Sequence, residues 1–330
     1  MQLKVFFKYR KLYMGVAALL LVVYHGRDLL PAGRFRELLS FFYGTVDFFL
    51  FCSGIGCFFS YTSDRDPAAF LKRRVRRLYP IYLAFMAYWL YGFLAADGIA
   101  LPDILGNLLC VQWLTGREPA FNWYMSALLV TYLLTPALAA LAEWADSRLK
   151  ALLALLALLV VSVAFWDATQ FVIITTRLPL FFAGMLFAAE SRRRERLARW
   201  ELLLLILLML PGALLLRRSI ASNSEALLWN RGMYWYPFLL IIPGACVLLA
   251  LAAQLLERRA PGRWLVTGLD FVGGYTFEIF VTHCYALYGS FQRYLLFAAL
   301  YAAALHLASR LLRRAAALPA RLLRRRETVS

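Results

Sequence analysis

A few ionisable residues stand inside otherwise apolar stretches of this chain: His25, Asp47, Arg177, Asp270, Glu278, His283 and His306. In hydrocarbon each costs free energy unless it finds a partner or water. His25 is the most telling. It closes the stretch YRKLYMGVAALLLVVYHG (9–26), which carries Arg10 and Lys11 at its other end. At the helical rise, Arg10 to His25 covers about 22 Å, most of a hydrocarbon core. An imidazole at that depth is either a functional group facing a bundle interior or a helix-end histidine hydrogen-bonded at the interface. Asp47, within a second apolar run, either orients His25, holds a substrate hydroxyl, or partners a buried hydroxyl or arginine. Arg177 precedes Leu178-Pro179 and either faces an outer aqueous cavity or neutralises Asp47 or Glu278. Glu278 and His283, five apart, lie about 140° round a helix, which argues against a dyad on one face. His283 falls near the outer end of its span, where it meets substrate or reaches water. His306 reads as a snorkelling or satisfied residue.

A second chemical pattern is basic. Arg74 and Arg77 are three apart, as are Arg73 and Arg76, so each pair lines one side of a helix. Two guanidiniums so spaced grip a phosphate, although any basic loop of a membrane protein also carries arginines. Met14 and His25 lie within about 20° on the first helix, with Arg10 offset by about 60°. Asp47 and Gly54 also share a face, and Gly44 and Gly56 allow close helix contact. No glycine-rich phosphate loop, Gly-x-Ser-x-Gly elbow or His/Cys metal cluster is present. The five cysteines sit mostly in apolar segments and read as small hydrophobes.

These residues need elements to hold them. The 330 residues are 62% hydrophobic with a mean hydropathy of +0.65, which excludes a soluble domain. The formal charge of +17 sits in short clusters between apolar runs and reads as a topology signal, not a nucleic-acid footprint. The expected fold is an all-α, polytopic bundle of about ten spans: 9–26, 38–61, 78–96, 121–144, 151–166, 171–189, 202–216, 237–256, 265–287 and 294–309. The first apolar run lacks a small-residue cleavage site and is expected to be retained. Pro211-Gly212 predicts a kink in the seventh span. Most Lys and Arg fall in the termini and alternate loops, which predicts both ends in the cytoplasm. The expected division is a transmembrane domain over 1–309 and a basic cytoplasmic tail over 310–330, either solvated or lying on anionic lipid.

The chain resembles the acyltransferase-3 family, integral-membrane bacterial enzymes that O-acylate cell-envelope carbohydrates. The likeness is carried by AALLLVVYH (17–25), GTVDFFLFCSG (44–54) and KRRVRRLYPIY (72–82). NWYMSALLVTYLLTP (122–136), RLPLFFAGMLF (177–187) and GGYTFEIFVTH (273–283) add to it in the family's order. The resemblance implies that His25 is required for activity and that Arg74 and Arg77, before Tyr79-Pro80, serve a cytoplasmic acyl donor, with Tyr79 beside it. The family's arginine eleven residues before the histidine is Met14 here, and Arg10 or Lys11 one turn earlier is the available substitute.

The resemblance further implies acetyl-CoA or another acyl-CoA as donor, no metal, a carbohydrate or glycolipid acceptor, and a place in the bacterial inner membrane. His25 then acts as general base or accepts the acyl group, and Asp47, Glu278 or His283 assists. Trp123, with Trp113, Trp229, Trp235 and Tyr236, offers rings for sugar stacking or forms an interfacial belt. Arg177 is a candidate acceptor contact. A transporter or flippase of an envelope glycan or lipid precursor is the alternative class; it predicts inverted internal symmetry, which the sequence does not show.

Overall fold

The computed structural model describes residues 1–96, 98–118, 120, 122–164, 169–222 and 236–287. Two units are distinguished, residues 1–281 and 282–330. In chain order the helices are α1 (Leu3–Lys8), α2 (Arg10–Gly26), α3 (Arg34–Ser40), α4 (Thr45–Thr62), α5 (Pro67–Ala96), α6 (Leu101–Leu108) and α7 (Trp123–Trp144). They continue with α8 (Arg148–Ala164), α9 (Thr169–Thr175), α10 (Leu178–Glu190), α11 (Arg199–Ser222), α12 (Tyr236–Leu256), α13 (Ala260–Gly273) and α14 (Thr276–Leu287). No β-strand occurs among the described residues, only an isolated bridge between Gln2 and Arg196. Of the second unit only 282–287, the end of α14, is described.

Among the described residues, five stretches are long and apolar enough to cross a membrane by length and composition: Arg34–Thr62, Trp123–Trp144, Ile173–Glu190, Arg199–Ile220 and Tyr236–Leu256. Their outer faces suit lipid. On α11, Leu203, Leu204, Leu207, Leu210 and Leu214 are all exposed, a stripe that water would not tolerate on this scale.

Small residues let the inner helices meet. A Cβ on Gly54 of α4 would strike the carbonyl of Phe181, and one on Gly184 of α10 would strike that of Phe51. α2 and α13 cross in the same reciprocal way through Gly15 and Gly273. Without a hydrophobic drive between helices in lipid, such backbone approach supplies the packing. Beside these crossings Phe6, Tyr13, Phe51 and Phe187 form an aromatic cluster, with the Tyr13 hydroxyl donating to the Phe6 carbonyl at 2.8 Å.

The segments expected on the amino-terminal side are hydrogen-bonded together. The Leu3 amide donates to Glu195 O, Arg65 and Arg192 both reach Glu143, and Arg192 also donates to Thr62. Arg193 donates to the carbonyls of Ala142, Glu143 and Ala145, satisfying the end of α7. Lys8 and Tyr9 meet Glu257 just past α12.

Several elements differ from the sequence expectation. The third span begins earlier than 78: α5 opens at Pro67, after Asp66 accepts from the Ala68 and Ala69 amides, so the basic cluster is helical. The sixth is interrupted at Thr176-Arg177, ahead of Pro179 in the first turn of α10. The ninth is broken at Gly274-Tyr275, where a glycine pair ends α13. Pro211 lies within one continuous α11, and Gly212 lets that helix approach Pro237 and Leu240 of α12. The expected tenth span and the tail 310–330 lie outside the described residues.

Candidate functional site

Arginines from separate helices converge on one pocket. Arg10 enters from the first turn of α2, and Arg74 and Arg77 from the helical basic cluster of α5. The Arg74 Nη2 donates to the Gly56 carbonyl at 2.8 Å, and its guanidinium lies 5.1 Å from the Phe70 ring and 5.6 Å from that of Tyr132. Neither Arg10 nor Arg77 forms a side-chain hydrogen bond or ion pair with another described residue. No carboxylate lines the pocket. Met14, Phe49, Cys52, Ser53, Gly56, Leu78, Tyr124, Leu128, Tyr132, Thr276 and Phe277 complete the wall. From Gly56 to Phe49 on α4 the wall extends about 10 Å along the helix axis. The wall thus combines three guanidiniums with hydroxyls and no counter-carboxylate, which gives the cavity a positive potential.

Beyond the pocket lies a neutralised layer. Arg177 and Asp47 form an ion pair of 3.2 Å, with their side chains 7% and 1% exposed, so the structure gives Asp47 an arginine as its partner. Arg177 Nη1 also donates to the Ile173 carbonyl at 2.9 Å, and its guanidinium lies 5.2 Å from the Trp123 ring. Trp123 and Tyr124 both pack on Phe280, the latter at 4.4 Å between ring centroids. Both Trp123 and Arg177 are therefore engaged with one another.

His25 lies in the last turn of α2, half-buried, its ring 4.9 Å from that of Tyr24. Tyr24 in turn meets Tyr43 and lies under the Arg27 guanidinium. Along α2, Met14 to His25 is about 16 Å. The histidine is thus set apart from the arginine pocket, on the same helix. Tyr79 lies outside the pocket wall: its hydroxyl donates to the Leu108 carbonyl at 2.7 Å, tying α5 to α6. Glu278 is in the first turn of α14, outside the pocket lining, and His283 lies farther along α14 in the second unit. Among the described residues no group of His, Cys, Asp and Glu is arranged for a metal, and Cys52, Cys57, Cys110 and Cys246 are free.

Arg10, Arg74 and Arg77, singled out in the sequence, line one pocket here, and the hydroxyls beside them were not singled out. Tyr124 and Tyr132, eight apart on α7 with Leu128 between, follow the i, i+4, i+8 stripe of one helix face, which was the available signal.

Among the described residues the chain is all-helical, with apolar helices of membrane length and a cationic pocket, the architecture of a helical membrane protein. The acyltransferase-3 profile, described as an acyltransferase domain, matches residues 15–312, and the chain belongs to that family. The match includes His25, Asp47, Arg74, Arg77, Arg177 and Glu278; Arg10 precedes it. No curated protein and no solved structure matches the chain.

Proposed function

We propose that this membrane acyltransferase is an O-acyltransferase, most simply an O-acetyltransferase, that moves an acyl group from cytoplasmic acyl-CoA to a hydroxyl of an envelope or exported carbohydrate. The observation that carries this is the pocket of Arg10, Arg74 and Arg77, which holds no carboxylate. Its chemistry suits the phosphates of CoA. In this reading the protein is a multi-pass resident of the bacterial inner membrane, with about ten spans and both termini in the cytoplasm, as the distribution of Lys and Arg favours.

The donor's phosphates stay at the arginines and its uncharged arm extends between α2, α4 and α7 toward His25. Neutral imidazole takes the proton of the acceptor hydroxyl as the oxygen attacks the thioester carbonyl. The C–S bond breaks, the C–O bond forms, and the proton passes to the departing thiolate. Asp47 acts at a distance: by neutralising Arg177 it lets Trp123 and Tyr124 keep their positions between the two ends of the path.

The test is transfer of label from radiolabelled acetyl-CoA into the envelope fraction of cells carrying the wild type or His25→Ala at matched expression. Label with the wild type and a loss of about 100-fold or more with His25→Ala is the expected result. Equal label from both removes His25 from the mechanism.

A further inference from the structure

Two glycines fix where α14 begins. A Cβ on Gly273 would strike the Lys11 carbonyl, and one on Gly15 the Leu269 carbonyl, so the end of α13 lies backbone to backbone on α2 between Lys11 and Gly15. This is the turn of α2 that carries Arg10 and Met14 into the pocket. The chain turns at Gly274-Tyr275 and α14 starts at once, with its first two residues, Thr276 and Phe277, on the pocket wall. Their amides have no partner inside the helix, and no described backbone carbonyl outside it receives them. The partial positive charge of a helix start is therefore added to a pocket that is already cationic.

A helix start alone makes no site, but two hydroxyl side chains of buried residues accompany this one. Tyr124 is 4% exposed and Thr276 8%, both line the pocket, and neither hydroxyl bonds a described residue. Neither hydroxyl is committed to a described residue, so both are available to what fills the pocket.

We propose that the first turn of α14, with the hydroxyls of Thr276 and Tyr124, forms one anion site together with Arg10, Arg74 and Arg77, and that the site takes a phosphoanhydride. The identity of that group as the diphosphate of CoA rests on the function proposed above; the phosphate chemistry rests on the site alone. The guanidiniums meet the charge, and the amides and hydroxyls take the remaining oxygens. The break in the ninth span thereby places a helix start where a continuous helix would have shown only side chains.

The experiment is calorimetric titration of the purified protein in lipid nanodiscs with inorganic pyrophosphate, CoA and pantetheine, which lacks the diphosphate. Wild type is expected to bind pyrophosphate and CoA. Thr276→Asp puts a carboxylate at the helix start, where it favours the helix but repels an anion. It should abolish pyrophosphate binding and weaken CoA at least about tenfold, the worth of one charge-assisted hydrogen bond. Thr276→Ser should keep both affinities, Tyr124→Phe should weaken both, and pantetheine should respond to none of these changes. Unchanged pyrophosphate affinity in Thr276→Asp and Tyr124→Phe, with melting temperatures matching wild type, overturns the proposal. So does an equal loss of pantetheine and CoA affinity, which would assign this wall to the donor's arm. Pyrophosphate binding without CoA binding keeps the site and removes the CoA reading. CoA binding indifferent to all the variants keeps that reading and removes the site, and binding of neither ligand removes both.

Discussion

Gly56 and Arg10 divide one volume between them: a Cβ on the glycine would lie 2.7 Å from Nη1 of the arginine. The Gly56 carbonyl also accepts from Arg74, so a residue without a side chain seats two of the pocket's cations. The obstructed atom is the far end of a flexible side chain, and Arg10 has room to swing away. Gly56→Ala is therefore expected to leave the melting temperature unchanged while raising KM for the acyl donor roughly 3- to 10-fold with kcat retained, the signature of lost uniform binding. Steady-state kinetics at saturating acceptor read this directly.

Gly54, two residues away, is expected to behave oppositely. There the clash is with the Phe181 backbone, and Gly184 and Phe51 repeat it from the other side. Backbone cannot swing away, so Gly54→Ala forces α4 and α10 apart at a cost of about 1–3 kcal/mol. A lower melting temperature in detergent, with the donor KM of the surviving fraction unchanged, is the expected outcome. If Gly54→Ala and Gly56→Ala fail in the same assay, the two glycines do not divide fold and pocket as described.

A pH effect belongs to the amino-terminal face. Hydrogen bonds from Lys8 and then Tyr9 hold the Glu257 carboxylate below its ordinary value of 4.5. A depressed carboxylate contributes stability that is present above the ordinary value and is lost as pH falls through the folded one. Lys8 is 57% and Glu257 30% exposed, so solvent screening holds the contribution to at most about 1 kcal/mol. Wild type should melt above Glu257→Gln at pH 7, by about 2 °C, and the two curves should converge between roughly pH 5 and pH 3. A gap that persists into acid would point to packing and away from the charge.

The sequence made the fold class legible because hydropathy and charge are local properties: apolar runs and basic clusters can be read one window at a time. Arg10, Arg74 and Arg77 were legible for the same reason, as cations at the mouths of spans. The breaks at Thr176-Arg177 and Gly274-Tyr275 were not, since the flanking residues remain apolar and a helix can run through both patterns. The convergence of α2, α5, α7 and α14 was also hidden. It depends on glycine crossings whose partners are more than a hundred residues apart, such as Gly54 with Phe181 and Gly15 with Leu269. Asp47 shows the same limit: its sequence neighbours suggest an orienting carboxylate, whereas its ion-pair partner, Arg177, comes from a distant segment.

That ion pair carries the last prediction. Asp47 and Arg177 are buried together, with side chains 1% and 7% exposed, so removing either leaves an uncompensated charge in the interior. Asp47→Ala is expected to cost about 3–5 kcal/mol, far more than a cavity of that size, because Arg177 remains beside Trp123 with its charge unmet. Removing both charges is a different matter. The desolvation penalty goes with the attraction, and Asp47→Leu with Arg177→Met should recover most of the loss. Melting of the single and double variants in one detergent decides it. Recovery of fold without recovery of acyl transfer would give the pair a part in the reaction beyond holding α4 against the segment before α10. Recovery of both would make it structural, and a double variant as unstable as the singles would show that the pair's geometry, not its charge balance, holds the layer.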